Sequence, residues 1–294
     1  MGLATLRWIW NHPLARRNRP AAFARFLRWQ FGSRLVGGAV AHPFVGTSRL
    51  LVTPGLTGAT GNVYAGLHEF VDMGFVLHAL RPGDLFVDVG ANVGSYTVLA
   101  ATTGAHVVAF EPVAATFARL AENVRLNGFD ARVRLHNAGV GRMASTLRFS
   151  DDLDTMNHVL PPDAPAGTGV RVASHALDGV LDGARPLVVK IDVEGWEAEV
   201  LAGATGLLGG DDPRAFLVEL NGSDGRYGYA GTATHDGLLA RGFIPVAYDP
   251  LTRTLQPLQT GEPTHENGLY IRDLPFFQER TRTAPTYDVQ GTPV

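Results

Sequence analysis

The segment of residues 84–97, DLFVDVGANVGSYT, has the residue types and spacing of a ligand-binding turn. Its apolar start, Leu85–Val89, predicts a strand, and Gly90 and Gly94 stand between that strand and a predicted helix. Glycines at this place let the backbone approach a ligand without interference from Cβ atoms, in the crevice at the carboxyl ends of parallel strands. Asp88, at the end of the strand, could fix the turn or hold a water molecule beside a cationic amino-acid group. The segment lacks the GxGxxG and GK[ST] patterns of phosphate-binding loops, so it favours a nucleotide-like ligand that carries a cation.

A second acidic residue, Glu111, directly follows the predicted strand His106–Phe110. It comes about twenty residues after the glycine-rich turn, where a carboxylate can accept hydrogen bonds from both hydroxyls of a ribose. Two structural alternatives stay open: Glu111 could cap the helix after Pro112, and Asp88 could serve only to stabilise its turn. The two acids together, at this spacing, favour the ligand-binding interpretation.

Carboxylates also follow two later strand-like segments, so we expect them at the same edge of the sheet. Asp192 and Glu194 come after residues 187–191, and Glu219 ends the next predicted strand. Such groups could contact the ligand, bind an acceptor hydroxyl, act as general bases or help to hold a metal ion. Alternatively, Glu194 could cap the following helix, and Lys190, the one lysine among 25 basic residues, could pair with one of the acids.

Histidines are further candidate bases, namely His158, His235 and His265. His158 lies in the turn-rich residues 150–170, which we expect to be an irregular insertion with a substrate loop. The glycine-rich residues 221–229 could line an acceptor pocket or form an ordinary loop. Because the chain has no cysteine, a metal would need His, Asp or Glu ligands. Mg²⁺ at the acidic residues is considered but not favoured, and no metal ligand is assigned.

Strand-like and helix-like segments alternate after residue 84, which is the pattern of a parallel sheet covered by helices. The predicted strands are residues 85–89, 106–110, 132–136, 187–191, 216–220, 243–248 and 268–271. The predicted helices are residues 69–80, 95–102, 114–127 and 197–208. The sequence therefore predicts an α/β fold that brings the candidate groups to one edge of its sheet.

Together these motifs resemble the FkbM family of S-adenosylmethionine (SAM) dependent methyltransferases. The matching stretches are DVGANVG at 88–94, AFEP at 109–112, residues 123–127, and the distinctive VKIDVEG at 189–195. The resemblance covers residues 67–272. It implies a Rossmann-like, seven-stranded class I methyltransferase sheet with its last strand antiparallel and helices on both faces. The implied activity is usually O-methylation of a hydroxyl on a sugar or a natural product.

The resemblance also assigns residues to the two halves of the reaction. Asp88, Gly90 and Asn92 would surround the methionine part of SAM, and Glu111 would bind its ribose. Asn137 and Ala138 would flank adenine. The remaining positions that we assign to the donor site are Gly94, Tyr96, Thr97, Pro112 and Asp192. The candidate catalytic residues are Asp192, Glu194, Glu219 and His158.

The N-terminal segment differs from the rest in charge. The formal charge of the chain is −3, yet residues 1–35 carry seven arginines and no acid, so the remainder sums to −10. Apolar residues at helical spacing predict an amphipathic helix over residues 20–35. We favour its packing on the main domain or on a second copy in a homodimer, with peripheral contact to a membrane or to the acceptor as the alternative. Residues 1–66 would form this arm with a loop or hairpin region, 67–274 the methyltransferase domain, and 275–294 a polar tail.

Arginine and proline interrupt every apolar run near the N-terminus, so neither a secretory signal nor a membrane span is predicted, and we expect a cytoplasmic protein. The acidic body disfavours a nucleic-acid partner, and we expect a small hydroxylated acceptor. Three other functions stay open. They are methylation of an amine or a nucleic acid, non-catalytic SAM binding in a scaffold, and NAD-dependent oxidoreduction, which shares the frame but calls for a tighter glycine pattern.

Overall fold

The structure of the protein, a computed structural model, describes residues 3–54, 58–151, 153, 156–161, 164–165, 167–212, 214–259 and 267–294. Helices and a hairpin form its N-terminal part. They are α1 (Leu3–Asn11), α2 (Pro13–Arg17), α3 (Arg19–Val36), β1 (Val40–Pro43), β2 (Arg49–Val52), α4 (Thr60–Ala65) and α5 (Phe70–Ala79). The long helix α3 is capped at its start by Asn18, whose side chain accepts a hydrogen bond from the amide of Ala21, and at its end by Gly37 in the left-handed conformation.

Strands and helices alternate in the middle of the chain, as the sequence predicts. They are β3 (Leu85–Val89), α6 (Ser95–Thr102), β4 (His106–Phe110), α7 (Ala114–Leu126), β5 (Val133–His136), β6 (Gly139–Val140), β7 (Ser145–Phe149), β8 (Val170–His175), α8 (Leu177–Leu181), β9 (Val188–Ile191), α9 (Glu197–Ala202) and α10 (Thr205–Leu208). The C-terminal part contains β10 (Arg214–Glu219), a 3-10 helix (Ser223–Tyr227), α11 (Ala233–Leu239), β11 (Ile244–Asp249), β12 (Thr254–Pro257), β13 (Asn267–Arg272), α12 (Leu274–Arg282), β14 (Asp288–Val289) and β15 (Thr292–Pro293).

Eight strands form the main sheet, in the order β12-β11-β13-β10-β9-β3-β4-β5. The five strands from β10 to β5 are parallel, whereas β13 is antiparallel to both β10 and β11. Strand order reverses between β3 and β9, and at such a point the crevice beyond the carboxyl ends of the strands receives ligands. A separate three-stranded sheet, in the order β6-β8-β7, lies between β5 and β9 in the chain.

Two apolar cores cover the two faces of the sheet. Side chains alternate between them along each strand, so that Phe86 packs in one core and Val87 in the other. The first core joins the sheet to α5, α6, α7 and the N-terminal helices, and the second joins it to α8–α11. Burial on both faces explains why the central strands β3 and β4 are largely apolar in sequence. Among the described residues, no helix combines the length and the apolar character needed to cross a membrane.

The predicted Rossmann-like class I sheet with helices on both faces is confirmed. Its seven predicted strands are present with β13 antiparallel, and β12 adds an eighth strand at the edge through a hairpin with β11. The strand β12 is short and contains Pro257, so its pattern in the sequence is weak.

Three local predictions need correction. Residues 197–208 form two helices rather than one, because α9 ends before Gly203, a poor helix former, and Ala204 leaves the helical conformation before α10. Residues 150–170 are bounded by the paired strands β7 and β8, which the sequence analysis missed. The tail is not merely polar: α12 is capped by the Asp273 side chain and buries Phe277 completely in the first core.

Candidate active site

A cavity of about 590 Å³ opens at the carboxyl ends of β3, β4, β9 and β10. Its volume lies in the range of small-molecule and cofactor sites. The sheet edge contributes the predicted residues Gly90, Asn92, Tyr96, Glu111, Pro112, Ala138, Asp192, Glu194 and Glu219. The opposite wall comes from the N-terminal part, with Ala4, Thr5 and Trp8 of α1, residues of α4, and His68.

The glycines of the turn after β3 bring two strand ends together. Gly90 has a φ of +79°, and a Cβ atom on it would lie 1.8 Å from the carbonyl oxygen of Asp192. A side chain is therefore excluded where β3 and β9 approach each other. Gly94, with a φ of +91°, faces α7 instead, because its Cβ atom would lie 2.5 Å from Cδ1 of Leu120. Gly94 is outside the cavity wall, and its part is to let α6 and α7 pack.

Asp88 and Thr97 lie beneath the turn rather than in the cavity wall. Asp88 is fully buried, and its Oδ2 accepts a hydrogen bond of 2.6 Å from the hydroxyl of Thr97. Burial raises the pKa of Asp88, and the nearby charge of Lys190 opposes this increase. This geometry matches the alternative in which Asp88 stabilises the turn, and it gives the side chain no direct face on the cavity.

Glu111 combines the two roles that the sequence left open. Its Oε2 accepts from the amide of Asn92 at 3.0 Å and its Oε1 from the amide of Val113 at 2.9 Å, so it holds the turn and the start of α7. It also lines the cavity. Burial raises its pKa to about 7. Because each carboxylate oxygen can accept two hydrogen bonds, both oxygens keep capacity for the hydroxyls of a ribose.

The two residues predicted to flank adenine, Asn137 and Ala138, differ in their relation to the cavity. Asn137 donates from Nδ2 to the carbonyl oxygens of Glu111 and Pro112, at 2.9 and 3.0 Å, and is outside the cavity wall. Ala138 lies in the wall. Asn92, with a φ of +52°, lines the cavity and accepts from the amide of Val93 at 2.7 Å. Asn137 therefore fixes the backbone behind the cavity wall, while Asn92 and Ala138 face the cavity.

Lys190 is the charged centre of the cavity. Its Nζ donates to Oδ2 of Asp192 at 2.7 Å and lies 4.9 Å from the centroid of the Tyr96 ring. Tyr96 in turn donates from its hydroxyl to Oε2 of Glu69 at 2.7 Å. Burial lowers the pKa of Lys190, but the carboxylates of Asp192, Asp88 and Glu69 raise it further, so the pKa stands above its usual value. Lys190 is thus a permanent cation, and the salt bridge considered from the sequence is present.

Three carboxylates cluster next to this salt bridge. Asp192, Glu194 and Glu219 each offer an oxygen within 4.8 Å of the others. Burial and the charges of Asp192 and Glu194 raise the pKa of Glu219 to about 9, so that Glu219 is protonated near neutral pH. Burial likewise raises the pKa of Glu194, which has a φ of +56°. Such a cluster can bind a hydroxyl, accept its proton or hold a divalent cation.

The turn after β9 owes its shape to Glu197, which sequence reasoning did not single out. Its Oε1 accepts from the amides of Val193 and Gly195 at 3.1 and 3.2 Å. This is the capping role considered for Glu194, whose Oε2 instead accepts from Nδ2 of Asn221 at 3.3 Å. The acidic character of the start of α9 was the available signal.

Two of the histidines predicted as bases, His158 and His235, lie away from the cavity wall. His158 places Nδ1 3.0 Å from the carbonyl oxygen of Met156, and only its neighbour Asn157 lines the cavity. His235 places Nδ1 2.7 Å from the hydroxyl of Tyr270. His265 lies outside the described residues. The structure therefore brings the carboxylates to the candidate reaction site, but neither His158 nor His235.

Sequence reasoning missed the wall made by the N-terminal part. The Trp8 ring lies 5.0 Å from that of His12 and 5.1 Å from that of His68, which fixes α1 against the loop before α5. Glu69 was also missed, although it is the first acid of the chain and holds both Tyr96 and Asn267. Clustering of aromatic residues in the arm was a signal of an interface, but it could not indicate which surface.

Comparison with known proteins assigns the chain to a family. The sequence model of the methyltransferase FkbM domain matches residues 88–244, more than half of the chain. This chain belongs to the FkbM methyltransferase family. The match begins at Asp88 and ends in β11, and so contains the glycine-rich turn, Glu111 and all three clustered carboxylates.

One curated relative of this FkbM methyltransferase is the hexuronic acid methyltransferase AglP of Haloferax volcanii. It is 31% identical over 137 residues, which are 45% of this chain and 55% of the relative. Among solved structures, a precorrin-6y C5,15-methyltransferase from Geobacter metallireducens is 15% identical with a TM-score of 0.42, covering 78% of this chain and 97% of that one. A precorrin 8W decarboxylase from Methanobacterium thermoautotrophicum is 14% identical with a TM-score of 0.41, covering 76% and 95%.

Proposed function

We propose that this FkbM-family methyltransferase transfers the methyl group of SAM to a hydroxyl of an uncharged sugar or sugar-like small molecule. The observation that carries the proposal is one continuous cavity in which Glu111, a partner for a ribose, and the carboxylates of Asp192, Glu194 and Glu219 share a sheet edge. A nucleoside bound at Glu111 would direct its reactive end towards the clustered carboxylates. The family membership supports methyl transfer, and the cavity supports the choice of donor and acceptor.

The residues present fit SAM better than a phosphate-bearing cofactor. All 25 lysines and arginines of the chain are among the described residues, and of these Lys190 alone lines the cavity, where it is already paired with Asp192. A diphosphate would therefore find no free cationic partner. SAM would bring an ammonium and a sulfonium to a cavity with the carboxylates of Glu69, Asp192 and Glu194 in its wall. This distribution of charge favours SAM over NAD.

Bound SAM supplies an electrophilic methyl group; the work of the chain is to place the acceptor and to take up a proton. Asp192, fixed by Lys190, is set to accept a hydrogen bond from the acceptor hydroxyl. Glu194 is placed to accept the hydroxyl proton, because burial raises its pKa and so its basicity. Glu219, protonated near neutral pH, is a donor to a second oxygen of the acceptor. As the new C–O bond forms and the C–S bond breaks, the hydroxyl proton passes to the carboxylate.

The lack of an unpaired lysine or arginine in the described cavity wall also affects which acceptor can bind. The relative AglP is named for hexuronic acid, which carries a carboxylate. In this chain, a carboxylate in the cavity would meet the clustered acids without an unpaired lysine or arginine among the described wall residues. Unpaired like charges in a confined site cost several kcal/mol. We therefore propose a neutral hydroxylated sugar rather than a uronic acid.

Calorimetric titration with S-adenosylhomocysteine, with NAD in parallel, tests the donor. We expect binding of the former and none of the latter; the reverse result, or no binding of S-adenosylhomocysteine, overturns the proposal. Transfer of radiolabelled methyl groups to neutral sugars, the matching uronic acids and the matching amino sugars tests the acceptor. Label is expected on a hydroxyl of a neutral sugar. Preference for the uronic acid would overturn the proposed acceptor class, and donor binding with no transfer to any sugar would indicate another acceptor or a non-catalytic role.

A further inference from the structure

An exposed apolar stripe runs along the outer face of α1. Leu3, Leu6 and Trp10 are 86%, 37% and 52% exposed. Their spacing of three and four residues places them on one face of the helix. Ala4, Thr5 and Trp8, on the other side of the same helix, line the cavity. Packing therefore accounts for the inner face of α1, whereas Leu3, Leu6 and about half of Trp10 on the outer face remain exposed in the monomer.

A second exposed stripe lies on α3, where the predicted amphipathic helix divides its apolar residues between two faces. Phe26 packs inward with its ring 5.2 Å from that of Tyr64, and Trp29 is buried. Leu27, Phe31 and Leu35, four residues apart, are 52%, 67% and 88% exposed. These inward residues also pack in the first core, which includes side chains of the main sheet, and this agrees with the expected packing on the main domain. The outward residues need another explanation, because large apolar side chains clustered on one surface are uncommon in monomers.

The two stripes form one surface. The rings of Trp10 on α1 and Phe23 on α3 lie 6.2 Å apart, and Phe23 is one turn before Leu27. The guanidinium of Arg19 covers the Trp10 ring at 4.2 Å. We call this surface the apolar ridge, formed by Leu3, Leu6 and Trp10 of α1 and by Leu27, Phe31 and Leu35 of α3.

Positive charge surrounds the apolar ridge without any acid of the same segment. Arg7 belongs to the α1 stripe, and Arg28 and Arg34 belong to the α3 stripe; all three are exposed. Asp and Glu are absent from the sequence before Glu69. The apolar ridge thus combines exposed apolar side chains with arginines that have no acidic residue in the same segment.

We propose that the apolar ridge docks on the surface of an anionic lipid bilayer. Its leucines and aromatic rings would enter the boundary of headgroups and acyl chains, and its arginines would contact lipid phosphates. A second copy of the chain fits the surface less well, because two ridges would place arginines of like charge together with no acid to pair them. A nucleic acid would pair the arginines but leave the leucines and phenylalanine in water.

Docking in this way is interfacial, since the described helices are not able to cross a membrane. It also puts α1 between the bilayer and the cavity, because this one helix presents the ridge on its outer face and Trp8 on its inner face. The proposal does not depend on the identity of the acceptor, and it can be tested without turnover.

Sedimentation of the full chain with vesicles tests the proposal. Vesicles of phosphatidylcholine with about 30% phosphatidylglycerol should bind the protein, and pure phosphatidylcholine vesicles should not, because the arginines attract anionic headgroups. Raising the salt concentration should weaken the binding. Brominated acyl chains should quench tryptophan fluorescence, and the quenching should fall in Trp10→Phe, since Trp10 is the exposed tryptophan of the ridge.

Two pairs of variants separate the apolar and the cationic parts. Arg28→Glu with Arg34→Glu should lower vesicle affinity by about 25-fold or more, because a single arginine near an anionic surface contributes about fivefold. Phe31→Ser with Leu35→Ser should lower it by at least as much, because two large apolar side chains would no longer be buried at the acyl boundary. The matched controls are Leu251→Ser and Arg125→Glu, which are exposed positions far from the ridge in sequence and should bind as wild type. Unchanged binding of S-adenosylhomocysteine, or unchanged thermal unfolding where that ligand does not bind, shows that the variants are folded.

Three results would overturn the proposal. The first is absence of vesicle binding by the wild type at low salt. The second is loss of binding in the arginine pair alone, which would indicate an electrostatic patch suited to nucleic acid. The third is a concentration-dependent dimer, seen by analytical ultracentrifugation, that the Phe31→Ser and Leu35→Ser pair dissociates while vesicles fail to compete; the ridge would then be the interface of a homodimer.

Discussion

Lys190 donates to Asp192 across 2.7 Å from a side chain that is only 7% exposed. The pair lies where β3 and β9 meet, and its other close neighbours are the Tyr96 ring and the buried carboxylate of Asp88. One cation thus faces several acids. Lys190 is therefore the buried positive charge that offsets the acidic side chains at this end of the sheet.

Replacing Lys190 by methionine should lower the free energy of unfolding by about 2 kcal/mol or more. Removal of one partner from a buried pair leaves an uncompensated charge, and the full cost of about 3 to 5 kcal/mol is reduced here because Asp192 is partly exposed. Urea unfolding measures the change. Arg185→Met is the matched control, since its pair with Asp212 is exposed on both sides and should contribute less than about 1 kcal/mol. Equal effects of the two substitutions would contradict the assigned role.

The affinity for S-adenosylhomocysteine should depend on pH through Glu111. The folded protein raises the pKa of this carboxyl from 4.5 to about 7 by burial, and a ribose with two donor hydroxyls needs the ionised form. Affinity should therefore be full above pH 7 and should fall below it, approaching about tenfold for each unit. Calorimetry from about pH 5.5 to about pH 8.5, roughly one and a half units on either side of the pKa of Glu111, follows the change in affinity.

Glu111→Gln provides the control for this dependence. The amide keeps the size of the side chain but has no carboxyl proton to lose, so affinity should be lower and nearly independent of pH. Because Glu111 also accepts from the amides of Asn92 and Val113, thermal unfolding must be measured alongside. A pH dependence that persists in the variant would assign the titration to another group.

Asp192→Asn should lower the rate of methyl transfer by about 100-fold or more and lower donor affinity much less, because Glu69 and Glu194 keep their carboxylates in the cavity wall. The amide retains the shape but loses the negative charge that orients the acceptor hydroxyl and pairs with Lys190. Turnover measured with saturating SAM, together with the dissociation constant for S-adenosylhomocysteine, separates the two effects. Asp212→Asn, at an exposed pair, is the control. Repeating the assay with EDTA shows whether the clustered carboxylates act with a divalent cation; we expect the rate to persist.

Local sequence patterns were enough to locate the half of the site that lies on the sheet. Strands β3 and β4 and helix α6 have the bounds that the pattern predicts, because apolar runs of this length between glycines and prolines have few alternatives in an α/β chain. Asp192 and Glu219 end neighbouring parallel strands, so their proximity follows from topology. The same reasoning identified Glu111 but could not decide between capping and ligand binding. In the structure the side chain accepts hydrogen bonds from backbone amides and also lines the cavity.

Contacts across long distances in sequence could not be read from local patterns. Asn267 donates to Glu69 and to Asp72 at separations of 198 and 195 residues, and both bonds form only after the sheet is assembled. The wall made by Trp8 depends likewise on how α1 packs against His68. Asn137 looked like a ligand contact from its place after β5, yet it is turned to the backbone because two carbonyl oxygens are within its reach.

Gly90→Ala should destabilise the protein and disrupt the candidate site. Two costs add: an alanine at a φ of +79° is strained by about 1 kcal/mol, and its Cβ would lie 1.8 Å from the carbonyl oxygen of Asp192, which must move. Forcing apart packed backbone costs about 1 to 3 kcal/mol more. We therefore expect a loss of about 3 kcal/mol in unfolding free energy and loss of S-adenosylhomocysteine binding.

Gly128→Ala separates strain from collision. Gly128 has a φ of +65°, but nothing lies within 4 Å of the place where its Cβ would stand. This variant should lose only about 1 kcal/mol and bind the ligand as wild type does. If the two variants unfold at the same urea concentration, the collision with the carbonyl oxygen of Asp192 does not explain the need for glycine at position 90. If Gly90→Ala is destabilised but still binds, the turn can open without losing the ligand, and its role is the folding of the sheet edge alone.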